Sequence, residues 1–249
     1  MDVNPTDLLH MYDFDVVDGS STVQAVRHTE DGRTEILLDR TPFYARGGGQ
    51  DWDTGTVAAL NAIFVVDEVR LDGFGVVHHI GSAANGQIAV GDVVTCRVDQ
   101  VRRALNTRLH SGGHILDMAV DELGLPWTPG KGAHYPHMTF VEYASDFTTE
   151  QAAEVAIDIE SIARRLISDD RPNAIAFMPV SRMYEVCRHV PANLPDNKPS
   201  RVVIYGETFG VPCGGTHVRS TGAIGEFAVT KVKQKQGNVK ISYTVSTRA

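Results

Sequence analysis

The sequence has few of the features that mark secreted, membrane-spanning or nucleic-acid-coating proteins. Its 249 residues include only three cysteines, too few and too scattered for a disulfide framework, which favours a reducing, cytoplasmic setting. No apolar run approaches the ~18 residues that a membrane-spanning helix needs, and no signal peptide is visible. The formal net charge of −8 argues against a protein that coats nucleic acid indiscriminately.

Acidic residues are absent from one end of the chain. Residues 227–249 contain five basic and no acidic residues, so an acidic protein can still offer one basic face to a polyanion. Strand alternation predicts that five side chains share a face, and we expect its lysine end to contact RNA phosphates. These are Phe227, Val229, Lys231, Lys233 and Lys235. An edge strand protected by lysines is the alternative.

The hydrophobic pattern changes partway along the chain. Short β-prone segments separated by Gly, Asp and Asn turns come first and are typical of a small β-barrel. A helical period then begins near Asp99, the expected N-cap, and ends at Gly124; a second helix is predicted over residues 149–170. The predicted fold class is α+β. A β-barrel domain with a glycine-rich motif occupies residues 1–96, and a two-layer domain with long helices on an antiparallel sheet occupies residues 97–249.

The first predicted helix contains the segment HSGGH, with His110 and His114 one turn apart. Such residues lie on one helix face about 5–6 Å apart, which suits two imidazoles on one metal ion; two unrelated helix histidines are the alternative. The glycines between them cost about 1 kcal/mol each relative to alanine. We expect Gly112 to pack closely on the sheet and Gly113 to leave room for a substrate.

A second pair of potential ligands lies in VPCGGTHV, where Cys213 and His217 flank Gly214 and Gly215. Thiolate and imidazole together suit zinc, and the glycines permit a close approach of backbone or ligand. A buried free cysteine beside a surface histidine is the alternative. The two pairs complete a nitrogen and sulfur ligand set, so we predict one Zn²⁺ per chain. Its ligands are His110, His114, Cys213 and His217.

Several motifs in this order resemble the editing domain of alanyl-tRNA synthetase and its freestanding relatives, the AlaX proteins. HSGGH is followed by CGGTH and STGAIGEF, TPFYARGGGQDWDTG resembles the glycine-rich motif of the longer AlaX proteins, and KVKQKQGNVKISYTV resembles the closing hairpin. The chain departs from the family pattern at Ala45 and Arg46. The resemblance implies hydrolysis of mischarged Ser-tRNA(Ala), and of Gly-tRNA(Ala), in the cytoplasm, with the tRNA(Ala) acceptor end as partner, no nucleotide requirement and no membrane.

The resemblance also implies substrate-binding residues. Thr41 is expected to hydrogen-bond the serine hydroxyl that alanine lacks; an ordinary loop threonine is the alternative. The motif Gly47, Gly48, Gly49 and Gln50 is expected to shape the same pocket wall, with a barrel turn as the alternative. Arg102, Arg103 and Lys131 are further expected RNA contacts. Five further histidines, His78, His79, His134, His137 and His189, are expected to be surface or structural groups.

Three other functions stay open at the level of sequence. Threonyl-tRNA synthetase editing domains resemble the same two metal motifs, so another mischarged tRNA such as Ser-tRNA(Thr) is one alternative. A small-molecule zinc hydrolase is disfavoured because no HExxH segment with its general-base glutamate is present. A non-catalytic, zinc-stabilised RNA-binding module is the third. No catalytic side chain beyond the metal site is assigned.

Overall fold

The computed structural model describes residues 3–195 and 197–247, and of Lys235 it describes only the backbone. Contacts within the chain define two units. The first comprises Met1–Gly47 and Asp51–Ala104, and the second comprises Gly48–Gln50 and Leu105–Ala249. The domain boundary between residues 96 and 97 stays a prediction.

The first unit is a closed six-stranded barrel, as the turn-rich N-terminal sequence predicts. Its strands pair in the order β2-β3-β7-β6-β5-β8, and every neighbouring pair is antiparallel. Two short strands, β1 and β4, pair in parallel beside it. The strands are β1 (Asp7–Leu8), β2 (Asp18–His28), β3 (Thr34–Leu38), β4 (Arg40–Thr41), β5 (Gly55–Ala59), β6 (Ala62–Leu71), β7 (Val77–Asn85) and β8 (Val93–Val98). The barrel core consists mainly of buried valines with Ile36, Leu38, Phe43 and Phe64.

The second unit places two long helices on an antiparallel sheet. The main sheet has the order β14-β15-β10-β9, and a second sheet has the order β11-β12-β13. The elements are α1 (Gln100–Glu122), β9 (Thr128–Tyr135), β10 (Met138–Ala144), α2 (Thr149–Ser168), β11 (Asn173–Met178), α3 (Val180–Met183), β12 (Ser200–Tyr205), β13 (Phe209–Pro212), β14 (Glu226–Lys235) and β15 (Asn238–Ser246). The α+β fold class is confirmed.

Local signals explain where the long helices begin and end. The Asp99 carboxylate accepts hydrogen bonds from the backbone N–H groups of Val101 and Arg102, as an N-cap does. Gly124 follows the helix with a φ of 64°, and its N–H bonds the carbonyl of Asp121. Helix α2 begins with a capping box between Thr148 and Gln151.

The core of the second unit lies between the helices and one face of the main sheet. Leu109, Leu116 and Ala119 of α1 are buried there beside Ile159 and Ala163 of α2. Gly112 belongs to the same stripe, because a Cβ on it would approach side chains of β15 to 3.0 and 3.1 Å. The predicted close packing at this glycine is confirmed.

Strand β14 differs from the regular alternation predicted for it. Val229 pairs with Tyr243 and Lys231 with Ser242, so one extra residue of β14 forms a β-bulge between them. Val229 and Val232 both pack on the core, whereas Lys231 is exposed. The prediction that Lys231 and Lys233 share a face with Phe227 is therefore wrong, because a bulge moves the side chains that follow it to the opposite face. The prediction for the Lys235 side chain lies outside the described part of the structure.

Among the described residues, no helix has both the length and the apolar character to cross a membrane.

Candidate metal centre

Four side chains from two segments of the second unit converge on one point. His110 and His114 lie one turn apart on α1, and Cys213 and His217 lie on the loop after β13. One potential ligand atom from each lies within 4.8 Å of the others. The Cys213 Sγ atom is 3.5 Å from His110 Nε2 and 3.2 Å from His217 Nε2. The four predicted zinc ligands therefore form a single cluster.

Each imidazole of the cluster is held by its outer nitrogen. His110 Nδ1 lies 2.7 Å from the Gln50 side-chain oxygen, and His114 Nδ1 lies 3.2 Å from an Asp117 carboxylate oxygen. His217 Nδ1 lies 2.9 Å from the Tyr205 hydroxyl. Partners of this kind fix the tautomer and the ring orientation of metal-binding histidines.

The donor set fits a zinc ion. The Nε2 atom of His114 is buried and has no hydrogen-bond partner in the described part of the chain. In a tetrahedral zinc site, a sulfur and a nitrogen ligand are about 3.6 Å apart, given bonds of about 2.3 and 2.0–2.1 Å. The two measured sulfur–nitrogen distances, 3.5 and 3.2 Å, are close to that value. The cluster can therefore hold a metal ion without large movements.

Electrostatics favour a negative sulfur in this cluster. Burial raises the pKa of the Cys213 thiol, but its contact with His114 outweighs burial and holds that pKa below its usual value. Burial lowers the pKa of His114, yet Asp117 and Cys213 together raise it to about 10. The pKa of His110 stays well below its usual value because of burial and the neighbouring His217. A thiolate among imidazoles is the electronic environment that borderline-soft cations prefer.

The glycine-rich motif contributes to this cluster through its last residues. Gln50 is fully buried; its oxygen contacts His110, and its amide donates to Thr216 Oγ1 at 2.8 Å. Gly49 has a φ of 78°, and a Cβ on it would lie 2.6 Å from the Gly132 carbonyl oxygen of β9. The motif therefore brings Gln50 to the metal ligands, and glycine is needed at position 49 because a side chain has neither the space nor the favoured backbone conformation.

Arg201 fixes the backbone of the loop that carries Cys213. The buried guanidinium of this residue donates to the carbonyl oxygens of Cys213 and Gly215, both at 2.8 Å. A Cβ at Gly215 would lie 2.1 Å from His110 Cε1, so the imidazole occupies the position of the missing side chain. Sequence analysis did not select Arg201, which no local motif distinguishes.

A fifth histidine, His134, belongs to the centre although sequence analysis assigned it to the surface or structural group. Its buried ring stacks on His110 with 4.7 Å between ring centroids, and its Nδ1 lies 2.6 Å from the Tyr243 hydroxyl. A Cβ at Gly113 would lie 2.3 Å from its Cε1 atom. The space beside Gly113 is therefore filled by this ring, and not left for a substrate as expected.

The remaining candidate residues have other surroundings. Thr41 belongs to the first unit and is fully buried, with its hydroxyl 2.8 Å from His79 Nε2. Arg103 is also buried; its Nε lies 3.0 Å from the Asp53 carboxylate, and its Nη1 donates to the Val16 carbonyl. This guanidinium is not available to a phosphate, which corrects the role expected for Arg103.

The roles predicted for two other candidate RNA contacts, Arg102 and Lys131, and for Gly47 stay predictions. The Arg102 Nε donates to the Trp52 carbonyl at 2.8 Å, and its guanidinium lies over the indole ring. Lys131 is exposed on β9. Gly47, in the first unit, accepts a hydrogen bond from the Tyr44 hydroxyl at 2.8 Å through its carbonyl.

Comparison with known proteins matches both units. Residues 12–102 match the family model of class II (A) tRNA synthetases, and residues 200–240 match the second additional domain of threonyl and alanyl tRNA synthetases. The latter segment includes Arg201, Cys213 and His217. Two of the three metal-motif histidines, His110 and His114, lie between the two matched segments.

Alanine–tRNA ligases are among the curated relatives. The chain is 33% identical over 210 residues to that of Kineococcus radiotolerans and covers 23% of it. It is 32% identical over 230 residues to that of Paraburkholderia phytofirmans and 34% identical over 223 residues to that of Cenarchaeum symbiosum, of which it covers 24% and 23%. These alignments include 83% to 86% of the chain. The chain spans about a quarter of the length of each relative. The resemblance to alanyl-tRNA synthetases read from the motifs is confirmed, and matches confined to about a quarter of each relative are consistent with an AlaX-like editing domain.

Proposed function

We propose that the protein is a trans-editing hydrolase that deacylates mischarged Ser-tRNA(Ala) and Gly-tRNA(Ala). The observation that carries the proposal is the four-ligand cluster, of which Cys213 and His217 lie in the segment that matches the second additional domain of threonyl and alanyl tRNA synthetases. The acceptor end of tRNA(Ala) is the proposed partner, no nucleotide is required, and the proposed location is the cytoplasm.

The proposed mechanism assigns the metal site to substrate positioning. His110, His114, Cys213 and His217 would hold one Zn²⁺. When bound, the ion supplies Lewis acidity, which polarises an ester or orients the aminoacyl group beside it. Four protein ligands are typical of a closed site, whereas catalytic zinc ordinarily keeps one position open. We therefore favour positioning over activation of water as the main role of the site.

The residues around the ligands keep this arrangement fixed. Gln50, Asp117 and Tyr205 each hold one imidazole by its outer nitrogen, so the inner nitrogens stay directed at the Cys213 sulfur. Arg201 holds the backbone of the cysteine loop. A site fixed before the substrate arrives lowers the entropic cost of reaching a reactive geometry.

Discrimination against correctly charged Ala-tRNA(Ala) is proposed to depend on Thr41. A buried hydroxyl that bonds the serine side chain would lose its partner when alanine is bound. The unpaired hydroxyl would then disfavour binding of Ala-tRNA(Ala). The hydroxyl of Thr41 accepts from the backbone N–H of Phe43 at 3.1 Å and lies beside His79. Since His79 Nδ1 faces the Ile36 carbonyl oxygen, its Nε2 accepts the Thr41 proton, and the threonine keeps one oxygen lone pair for a donor.

A second candidate substrate is another mischarged tRNA such as Ser-tRNA(Thr). The specific observation in its favour is that the family model matched by residues 200–240 includes threonyl as well as alanyl synthetases. A zinc-stabilised RNA-binding module without activity is the third possibility, and turnover distinguishes it.

The test is a deacylation assay with tRNA(Ala) charged with serine, glycine or alanine and with Ser-tRNA(Thr), in the presence of zinc. We expect rapid loss of serine from tRNA(Ala) and much slower loss of alanine. Cys213→Ala should abolish turnover, whereas Cys187→Ala, which removes a buried thiol from a separate apolar cluster, should retain it. An intact Ser-tRNA(Ala) would contradict the proposal, and equal rates with Ala-tRNA(Ala) would contradict the role of Thr41.

A further inference from the structure

The main sheet of the second unit has a groove on the face opposite the helices. Its volume is about 560 Å³, and residues of β10, β14 and β15 line it together with the turn between β9 and β10. The lining is mostly basic and hydroxyl-bearing, from Thr230, Lys231, Lys233, Lys240, Ser242 and Thr244. No acidic residue is among the described residues that line the groove.

Three lysines of the groove lie close together because of the bulge in β14. The extra residue turns Lys231 and Lys233 away from the core, to the face of β15 that carries Lys240 and Ser242. Lys233 lies directly opposite Lys240 in the ladder, and Lys231 lies opposite Ser242. Like charges at directly opposed positions destabilise a sheet, so this pairing does not serve the fold.

Within the sheet, Glu142 partly neutralises one of these three charges, that of Lys240. Lys240 Nζ lies 3.1 Å from the centroid of the Phe140 ring and 3.7 Å from a Glu142 carboxylate oxygen. Lys231 and Lys233 are exposed and extend from alternate positions of one strand, about 6.6 Å apart along it. That separation is on the order of the distance between consecutive phosphates of a polynucleotide strand, and the hydroxyl side chains between the lysines can donate to phosphate oxygens as well.

Strand β15 links the groove to the candidate metal centre on the other face of the sheet. Tyr243 is among the residues that line it, and the hydroxyl of Tyr243 bonds His134, which stacks on His110. Because the Tyr243 side chain is buried in the core and its hydroxyl also donates to the Leu109 carbonyl oxygen of α1, its ring lies on the helix side of the sheet, so an RNA strand in the groove must pass an edge of the sheet to reach the histidine cluster.

We propose that this groove binds the sugar–phosphate backbone of the RNA whose aminoacylated end is processed at the metal centre, with Lys231, Lys233 and Lys240 as the phosphate contacts. The inference rests on the proposed editing function and adds the surface that holds the RNA. An acidic peptide is the competing occupant, and displacement of RNA by such a peptide distinguishes the two.

The test uses Lys231→Gln and Lys233→Gln, with Lys198→Gln as the matched control on the exposed loop before β12. Binding of uncharged tRNA(Ala) is measured by fluorescence anisotropy from 50 to 300 mM salt, and deacylation of Ser-tRNA(Ala) is measured in parallel. Each groove variant should reduce the slope of log affinity against log salt by about 0.7 to 1. KM should rise with kcat unchanged, and the control should match the wild type.

Thermal unfolding separates this role from a structural one. Lys233→Gln removes one member of the opposed lysine pair. Its thermal unfolding midpoint should therefore equal or exceed that of the wild type. Lys240→Arg, which retains the charge and the contact with Phe140, should retain RNA affinity. Unchanged salt slopes in the groove variants, or an acidic peptide of equal charge that displaces RNA equally well, would overturn the proposal. If the wild type deacylates nothing, the proposed function fails, while the binding measurement still tests the groove.

Discussion

Replacing Gly113 by alanine should destabilise the protein only while the ring of His134 is present. A Cβ at this position would lie 2.3 Å from His134 Cε1 and 2.8 Å from its Nδ1, so the ring must move. Its movement would break the hydrogen bond to Tyr243 and separate the ring from His110. The substitution therefore tests whether glycine is required at position 113 because the His134 ring packs there.

The expected magnitude follows from three opposing contributions. Overpacking costs about 1–3 kcal/mol, and loss of the hydrogen bond costs about 1 kcal/mol. Alanine in place of glycine in a helix returns about 1 kcal/mol. The free energy of unfolding of Gly113→Ala should thus fall by about 1–3 kcal/mol. In a His134→Ala background only the helix preference and a 3.2 Å approach to the Tyr243 hydroxyl remain, so the same change should stabilise by up to about 1 kcal/mol.

The assay is urea unfolding at 25 °C of the wild type, both single variants and the double variant, in a chelator so that bound metal does not contribute. Gly112→Ala is the control, because its Cβ would meet Val245 and Tyr243 on β15. Its effect should be the same in both backgrounds. The reasoning is refuted if Gly113→Ala has the same sign and size with and without the His134 ring.

Three further outcomes are expected. Asp117→Asn should weaken zinc binding about 10- to 100-fold in a competition titration, because it perturbs the carboxylate that orients His114; unchanged affinity would show that the orientation is set elsewhere. Burial lowers the pKa of His79 to about 4, so the unfolded chain binds the extra proton between pH 6.5 and 4, and stability should fall by about 3 kcal/mol more in the wild type than in His79→Gln as the pH is lowered across that window. Arg103→Met should lower the free energy of unfolding by about 3–5 kcal/mol, since it leaves Asp53 buried without its partner; a smaller loss for Arg103→Met combined with Asp53→Leu would confirm that cause.

The ligand residues could be predicted because their signals are local. A helix places residues four apart on one face, so His110 and His114 needed only the helical period to be paired. Cys213 and His217 were found from residue chemistry and the glycines between them. That these two residues lie beside α1 depends on the pairing of β12 with β13, which precedes their loop. No local sequence pattern contains that information.

The lysine face of β14 was predicted incorrectly for a different reason. Alternation is a rule for regular strands, and one inserted residue reverses it. The bulge lies at Thr230, where Val229 and Lys231 pair with consecutive residues of β15. The sequence does contain a hint, because Val229 and Val232 are separated by three positions and cannot both face the core of a regular strand. The apolar spacing therefore indicates an irregularity between Val229 and Val232.

Glycines mark the positions where a histidine ring of the centre packs against backbone. The His110 imidazole occupies the side-chain position of Gly215, and the His134 imidazole occupies those of Gly113 and Gly132, with approaches of 2.1, 2.3 and 2.8 Å to the added Cβ atoms. None of these three glycines has a positive φ, so conformational freedom does not require them. Each is required by a ring from another segment of the chain. Any side chain at these positions must displace a ligand or its neighbour, so glycine here sets the geometry of the centre as directly as the ligands do.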